Sequence, residues 1–280
     1  MPELPEVETI KRGLQPFLEQ KTIQGLQVNR QDLRIPIPDN TRQMIQGQYV
    51  QFIKRHGKYL CVELANGQTI VWHMGMSGSV RVYHDDKEPY EPQKHDHIVM
   101  TTDAPATIVF NDPRRFGMFY THPTEQIQNT PPFSQMGCDA LQSTAKTLYP
   151  QLQNKKSPIK TVLLDQAIVA GLGNIYVCEA LYKARISPFK PANALSFSEV
   201  ETLSKHIDEI LAEAIQKGGS SLKDHRMTDG SMGYFQNFFG VYGKKGVACP
   251  HCTCDPEQTG GIKQVKQAGR STFYCSEKQK

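Results

Sequence analysis

Residues 58–74 read KYLCVELANGQTIVWHM, two β-type runs on either side of an Asn-Gly dipeptide. Asn-Gly is a turn signal, so the two runs are expected to be adjacent and to pair in antiparallel fashion. Further short β-type runs surround this stretch, and no helix-length crossover separates them. The pattern predicts an antiparallel sandwich or barrel-like domain. The additional runs lie at residues 22–28, 49–55, 79–83, 97–101, 107–110 and 117–120.

The chain opens MPELPEVETI, which predicts an amphipathic helix at its start. Apolar residues from Val7 to Leu18 recur at helical spacing, and acids in the first turn suit the positive end of the helix. An initiator methionine before a small residue such as Pro2 is normally removed, which leaves a free secondary amine. The stretch therefore has two interpretations, a good helix start and a nucleophile at the front of the chain.

The second half of the chain changes from strands to helices. Residues 159–170 and 175–184 predict two helices joined by the sequence GLGN, and residues 196–219 predict a third helix that closes on paired glycines. The box formed by Ser198 and Glu201 is expected to cap this third helix. A polar, glycine-punctuated loop is expected to follow it.

Composition narrows the class of protein. The chain has 280 residues, seven cysteines and a formal net charge of +4. It has no secretion signal and no run of about 18 apolar residues, so a cytoplasmic protein is expected. The odd cysteine count argues against a disulfide framework.

Residues 241–280 carry seven basic residues and three acids, which accounts for the whole net charge. A basic, cysteine-bearing tail favours nucleic-acid binding over a merely solvated segment.

The tail contains Cys249-Pro-His-Cys252, half of the ligand set of a structural zinc. The second half is incomplete, because Cys275 is followed three places later by Lys278, whose ammonium cannot bind a metal. This cysteine pattern is compatible with both a zinc site and a metal-free hairpin. The candidates for a fourth ligand are Cys254 and His251.

Several turns carry residues suited to binding a polyanion. Asn174 follows two glycines at a predicted helix start, where free N–H groups suit a phosphate, although glycines are common in any helix turn. Arg114 and Phe116, in NDPRRFG, suit insertion between DNA base steps, and Met76, in HMGMSG, suits a second wedge. A surface turn and a core methionine are the alternative interpretations. Lys58, at a glycine turn, is compatible with an ordinary surface lysine.

Eight motifs, in order along nearly the whole chain, resemble those of the bacterial formamidopyrimidine-DNA glycosylases, also called Fpg or MutM. They are MPELPEVET, HGKYL, HMGMSG, KHDH, NDPRRFG, GLGNIY, the GGSSLKD…DG…GYF loop and GRSTFYC…QK. The resemblance implies an α+β multidomain fold: an N-terminal β-sandwich with a leading helix over residues 1–133, a helical helix-two-turn-helix domain over 134–240, and a zinc-finger-type β-hairpin over 241–280. It also implies that residues 220–235, called here the capping loop, close over an extruded base.

The activity that the resemblance implies is that of a bifunctional DNA glycosylase and abasic-site lyase of base excision repair. Such an enzyme removes oxidised purines, 8-oxoguanine and formamidopyrimidines, and then nicks the strand by β,δ-elimination. Pro2 is expected to form a Schiff base with the sugar, and Glu3 to act as general acid and base. Lys58 and Arg270 are expected to donate protons during β- and δ-elimination respectively, while Glu6 organises the helix end.

Binding roles follow from the same resemblance. The expected partner is double-stranded DNA containing oxidised purines, bound by a monomer. Phosphate contacts are expected from His95, Arg114, Lys155 or Lys156, Asn174 and Arg270. The space vacated by the flipped nucleotide is expected to be filled by Met76, Arg114 and Phe116. Zinc, if bound, is expected on Cys249, Cys252 and Cys275, with Cys254 as the replacement for the family's fourth cysteine.

Three other functions are compatible with parts of the sequence. An endonuclease VIII-like glycosylase shares the leading Pro-Glu and the finger but prefers oxidised pyrimidines; MPELPEVE, NDPRRFG and the full capping loop favour the purine enzyme. The broken finger would suit a DNA-binding protein without catalysis, against which the presence of Pro2, Glu3, Lys58 and Arg270 argues. A proline-based tautomerase would need neither a basic hairpin nor a wedge loop.

Overall fold

The computed structural model describes residues 2–84, 86, 88–221, 227–250 and 255–280. The chain divides into two compact units. Unit 1 comprises the chain up to Ser134 together with Ile215–Gln236, and unit 2 comprises Gln135–Ala214 with Asn237–Lys280. The finer division at 133/134 and 240/241 remains a prediction. Within the described residues, no helix has the length and apolar character needed to cross a membrane.

Unit 1 contains a leading helix and eight longer strands. Their bounds are α1 Leu4–Leu18, β1 Ile23–Val28, α2 Thr41–Ile45, β2 Val50–His56, β3 Tyr59–Leu64, β4 Gln68–His73, β5 Ser79–His84, β6 Asp96–Thr102, β7 Ala106–Asn111 and β8 Met118–Pro123. The strands form two antiparallel four-stranded sheets, ordered β1-β6-β7-β5 and β2-β3-β4-β8. The predicted β-sandwich with a leading helix is confirmed.

The core of unit 1 joins α1 to both sheets. Trp72 on β4 is 1% exposed and meets Phe110 and Phe119 edge-on, at centroid distances of 5.5 and 5.3 Å. Edge-to-face pairs of this kind stabilise a core beyond the burial of their area. The Asn-Gly dipeptide forms the β3–β4 turn as expected, with Gly67 at φ +77°.

Unit 2 contains helices, a two-residue parallel ladder and a terminal β-hairpin. Their bounds are β9 Cys138–Asp139, α3 Ala145–Leu152, α4 Ile159–Leu163, β10 Val169–Ala170, α5 Asn174–Lys183, α6 Phe197–Gln216, α7 Pro256–Thr259, β11 Lys263–Gln267 and β12 Arg270–Tyr274. The last two residues of α6 belong to unit 1. The hairpin turns at Ala268 and Gly269, both at positive φ, as a tight turn between twisted strands requires.

The prediction of one helix over residues 159–170 is wrong beyond Leu163. The side chain of Gln166 bonds to the surrounding backbone, donating to the carbonyls of Leu164 and Leu172 and accepting from the N–H of Gly171. Residues 169–170 then pair with β9 as a parallel ladder. A hydrogen-bonded turn and a distant strand partner therefore override the local helical pattern.

The capping box of α6 lies two residues earlier than expected. The Ser196 hydroxyl accepts from the Glu199 N–H at 3.3 Å, and the Glu199 carboxylate accepts from the Ser196 N–H at 2.9 Å. The predicted box of Ser198 and Glu201 is wrong because the helix already begins at Phe197, so Ser198 lies inside its first turn. The pairs Ser196/Glu199 and Ser198/Glu201 both have the Ser-x-x-Glu spacing, so the spacing alone does not distinguish them.

Candidate functional site

The start of α1 holds two buried carboxylates next to the proline. Pro2 is buried, Glu3 is 4% exposed and Glu6 is 2% exposed. The N–H of Glu3 donates to Oε2 of Glu6 at 2.9 Å, which satisfies a backbone donor that a helix start otherwise leaves free. The structure therefore fixes Pro2 and Glu3 at the positive end of a helix, shielded from most water.

The other oxygen of Glu6 binds the beginning of the capping loop. Oε1 accepts from the Ser220 N–H at 2.8 Å and from the Ser220 hydroxyl at 2.9 Å. A Cβ on Gly219 would approach Cγ and Oε1 of Glu6 to 3.1 Å, and the φ of Gly219 is +76°. Glycine at 219 thus allows the loop backbone to pass close to α1. Glu6 and Ser220 are 214 residues apart, so no local pattern could have paired them.

Lys58 lies between β2 and β3, directly after the turn at Gly57, and is 6% exposed. The surface interpretation of this lysine is wrong, because the turn places its side chain inside unit 1. On the next strand, His73 pairs with Tyr59 and their ring centroids are 4.5 Å apart. Lys58 is thus a buried cation close to a buried imidazole.

His73 is a functional candidate that the sequence reasoning missed. Its Nδ1 accepts from the Gly75 N–H at 3.0 Å, which fixes the start of the turn bearing Met76. Burial, and next the positive charge of Lys58, lower the pKa of His73 to about 4. The ring is therefore neutral at pH 7, as an acceptor at Nδ1 must be.

The two predicted wedge turns are held together by Asp112, which is fully buried. Its Oδ1 accepts from the Ser77 hydroxyl at 2.5 Å, and its Oδ2 accepts from the Gly117 N–H at 2.8 Å. Since Ser77 belongs to one turn and Gly117 to the other, one carboxylate positions both. The Asp-Pro dipeptide in NDPRRFG marks a turn, but its long-range partner has no sequence signal.

This arrangement exposes the predicted wedge residues. Met76 is 44% exposed and Phe116 is 42% exposed, so both apolar side chains are accessible from solvent. The guanidinium of Arg114 lies 4.9 Å from the Phe116 ring centroid. The structure thus brings the three side chains onto adjacent turns of unit 1, where they are accessible to a ligand.

Of the predicted phosphate contacts, His95 lies in unit 1 and the others, apart from Arg114, lie in unit 2. His95 is half-buried, with φ +75°, and its carbonyl accepts from the Asp112 N–H at 3.1 Å. Lys155 and Lys156 are exposed between α3 and α4. All three are therefore placed by turns rather than by regular elements.

Asn174 and Arg270 lie close together in unit 2. Asn174 begins α5, and its Nδ2 donates to the Ser271 carbonyl at 2.9 Å. Its Oδ1 is buried and has no hydrogen-bond partner among the residues that the structure describes. Lys160, 1% exposed, also donates to the Ser271 carbonyl, at 3.3 Å. Sequence reasoning missed Lys160, which looked like an ordinary helix lysine; the side chain of Arg270 itself is exposed.

The predicted metal ligands are only partly within the described residues. Cys249 and Cys275 are buried, with their sulfurs 3.3 Å apart, whereas Cys252, Cys254 and His251 lie outside the described residues. Among the residues that the structure describes, no cluster of three or more ligating side chains is present. Two thiols do not make the four-ligand set of a structural zinc, so the described residues alone do not fit the ion.

Lys278 occupies the position at which the resemblance leads us to expect a fourth cysteine, and its side chain contacts α5. Its Nζ lies 4.0 Å from the ring centroid of Tyr182 on α5, the geometry of a cation–π contact. The Tyr182 hydroxyl in turn donates to the carbonyl of Pro250. Tyr182 also belongs to an apolar cluster with Cys249, Cys275 and other residues of the tail.

A β-sandwich with a capped leading helix, followed by a helical unit and a basic β-hairpin, is the architecture of the helix-two-turn-helix DNA glycosylases. Two family models match the chain: the formamidopyrimidine-DNA glycosylase N-terminal domain over residues 1–119 and the formamidopyrimidine-DNA glycosylase H2TH domain over residues 136–226. The chain belongs to the formamidopyrimidine-DNA glycosylase family.

Individual relatives agree with the family models. The chain is 44% identical over 282 residues to the formamidopyrimidine-DNA glycosylase of Rhodospirillum rubrum, and all of both chains is covered. It is also similar to crystal structures of the Lactococcus lactis Fpg, at 33% identity with 99% of both chains covered. A mutant of that protein is in complex with DNA containing Fapy-dG, with a TM-score of 0.88. Another structure has DNA containing an abasic site, with a TM-score of 0.87.

Proposed function

We propose that this chain excises oxidised purines, including 8-oxoguanine and formamidopyrimidines, from duplex DNA and then cuts the strand at the resulting abasic site. The carrying observation is the buried Pro2–Glu3 pair at the capped start of α1. The relatives crystallised with Fapy-dG and abasic-site DNA support the substrate class.

In the proposed reaction, the unprotonated amine of Pro2 attacks C1′ of the damaged nucleotide and the bond to the base breaks. An α-amino group titrates near about 7.7 to 8 in model peptides, so free amine is available at neutral pH. The Pro2 nitrogen loses its proton, and Glu3 protonates the sugar ring oxygen as the ring opens, which leaves a cationic Schiff base (an iminium ion) between Pro2 and C1′. The base departs with the electron pair of the broken bond and is protonated.

Strand cleavage follows from the Schiff base. Loss of a proton from C2′ expels the 3′ phosphate in β-elimination, for which Lys58 is the proposed proton donor. A second elimination expels the 5′ phosphate, with Arg270 as the proposed donor. Hydrolysis of the imine then returns the free Pro2 amine. The burial of Lys58 supports a defined position for its ammonium.

Phosphate and wedge contacts complete the proposal. His95, Arg114, Lys155 or Lys156 and Asn174 are proposed to hold the backbone around the lesion. Met76, Arg114 and Phe116 are proposed to fill the space left by the flipped nucleotide; the exposure of the two apolar side chains supports this role. Flipping is required because the reacting carbon is inaccessible in a stacked duplex.

Zinc binding is a separate proposal, and none of the proposed reaction steps uses zinc. The set proposed is Cys249, Cys252 and Cys275 with Cys254, of which the described residues supply the adjacent thiols of Cys249 and Cys275. Metal analysis of the purified wild type and of the purified Lys278→Cys variant tests this ligand set. One zinc per chain in both proteins supports the four-cysteine set, and zinc in the variant alone contradicts it.

Borohydride trapping tests the proposed reaction. The wild type is incubated with a duplex bearing 8-oxoguanine opposite cytosine, and reduction is expected to yield a covalent complex. Pro2→Gly is expected to lose it, whereas Pro16→Ala, a matched change at an exposed position of the same helix, is expected to keep it. Binding without adduct or nick would support the non-catalytic rival, and adducts only with oxidised pyrimidines would support the endonuclease VIII-like rival.

A further inference from the structure

The second half of the capping loop touches α1 at a helical glycine. Gly13 lies within α1, where glycine is less favourable than alanine because it loses more backbone freedom. A Cβ at this position would lie 2.0 Å from Oγ1 of Thr228 and 2.9 Å from its Cγ2. No side chain fits there while Thr228 keeps its place, so the loop contact explains the glycine.

Thr228 is itself fixed by more than this contact. It is 8% exposed, and its carbonyl accepts from the N–H of Val82 on β5 at 2.8 Å. The turn around it is closed by hydrogen bonds from the N–H of Met227 to the Ser231 carbonyl and from the N–H of Gly230 to the Met227 carbonyl, both 2.9 Å. The described end of the loop is therefore a compact turn held between α1 and β5.

The two contacts of the loop with α1 lie on one face of the helix. Glu6 binds Ser220 at the first end of the loop, and Gly13 lies against Thr228 near the middle of the loop. Positions seven apart fall on the same side of an α-helix, two turns from each other. The helix that carries Pro2 and Glu3 thus also carries two of the attachment points of the loop.

We propose that Gly13 and Thr228 form a latch that sets the position of the capping loop relative to the Pro2–Glu3 pair, and that both are positioning residues for base excision. This inference rests on the proposed function. Strand cleavage at a preformed abasic site has no base to enclose, so it does not need the latch. We therefore expect a side chain at position 13 to reduce base excision while leaving cleavage at a preformed abasic site unchanged.

The test compares Gly13→Ala with Gln15→Ala, a change on the same helix away from Thr228. Gly13→Ala is expected to lower kcat for 8-oxoguanine excision by about tenfold or more, because a displacement near 1 Å can cost that much or more. Cleavage of an abasic-site duplex, and affinity for it, are expected to stay within about twofold. Thr228→Ala in the Gly13→Ala background removes the two closest atoms and is expected to recover most of the loss.

Thr228→Arg provides a second route, because its long side chain cannot enter the notch while α1 stays unchanged. It is expected to show the same selective loss of excision. Unchanged excision in both Gly13→Ala and Thr228→Arg would overturn the latch, as would parallel losses of excision, abasic-site cleavage and melting temperature. A wild type that forms no adduct with either duplex would overturn the proposed function and the latch with it.

Discussion

The beginning and the end of this chain are each held by a buried glutamate that binds backbone N–H groups, Glu6 at the beginning and Glu179 at the tail, but they differ in which predicted functional residues lie together. At the beginning, charged side chains bind backbone groups within a few residues and across the unit, as Glu6 does with Glu3 and Ser220. In the described part of the tail, two thiols lie together, and Lys278 packs on Tyr182 at the position where the resemblance leads us to expect a cysteine. The difference is that Pro2 and Glu3 share one buried site with Glu6 at the beginning, whereas Cys249 and Cys275 are the predicted zinc ligands that the described part of the tail brings together.

The tail is joined to α5 by backbone hydrogen bonds and apolar packing. Glu179, 2% exposed, accepts from the N–H groups of Gly240, Val241 and Tyr242 at 2.7, 3.0 and 2.8 Å. Gln279 donates to the Ile186 carbonyl and accepts from the Cys275 N–H, both at 2.9 Å. These contacts hold the described part of the tail against α5 and the residues that follow it.

The largest expected effect is at the beginning of the chain. Glu3→Gln removes the proposed acid and base but keeps the size of the side chain, so excision of 8-oxoguanine is expected to fall by about 10²- to 10⁴-fold. The melting temperature is expected to change little. Single-turnover excision assays measure the effect, with Gln15→Ala as the control; a fall below about tenfold would contradict the role of Glu3.

The next effect is at the tail. Glu179→Ala leaves three buried N–H groups without an acceptor and is expected to lower the free energy of unfolding by about 4 kcal/mol. Glu179→Gln keeps the oxygen that accepts from two of them, so it is expected to cost less than half as much. Denaturant unfolding of both variants provides the comparison, and equal losses would show that the hydrogen bonds to position 179 do not hold the segment.

His73 gives unit 1 a pH dependence. Because its native pKa is about 4 and an unfolded histidine titrates near 6.5, the unfolded chain takes up a proton first as the pH falls. The contribution of neutral His73 to the free energy of unfolding is complete above about pH 6.5. It is expected to decrease by roughly 3 kcal/mol by pH 4. Unfolding measured against pH in wild type and His73→Gln isolates this slope, which the variant should lack.

The smallest effect concerns Lys278. Removing its cation–π contact in Lys278→Ala is expected to cost about 1 kcal/mol at this half-buried position. Excision of 8-oxoguanine is expected to remain within about threefold of the wild type. A loss comparable to that of Glu179→Ala would mean that Lys278, rather than the backbone contacts, carries the attachment of the tail.

Local patterns predicted the elements whose partners are near in sequence. The Asn66-Gly67 turn and the amphipathic α1 follow from turn chemistry and spacing, whereas the terminal hairpin came from the family resemblance. The helix expected over residues 159–170 stopped early because residues 169–170 pair with a strand about 30 residues away. Periodicity cannot supply such a partner, which is why the boundary was wrong.

In the candidate site, too, residues in contiguous motifs were predicted, whereas contacts between distant parts of the chain were not. The resemblance supplied Pro2, Glu3, Lys58 and Arg270, whose motifs are contiguous. The long-range contacts that position the wedge turns and the capping loop were not predictable: Asp112 reaches Ser77 across 35 residues, and Thr228 reaches Gly13 across more than 200. A side chain whose partner is set only by the tertiary fold leaves no spacing for sequence analysis to detect.

The central claim is that the mature chain begins at Pro2 and reacts through that amine. The most direct measurement is mass spectrometry of peptides from the borohydride-trapped complex with an 8-oxoguanine duplex. The account predicts a deoxyribose-derived adduct on the N-terminal peptide that starts at Pro2, with the modification on the proline nitrogen. An adduct on Lys58 or another lysine, or normal excision by a chain that retains its initiator methionine, would contradict it.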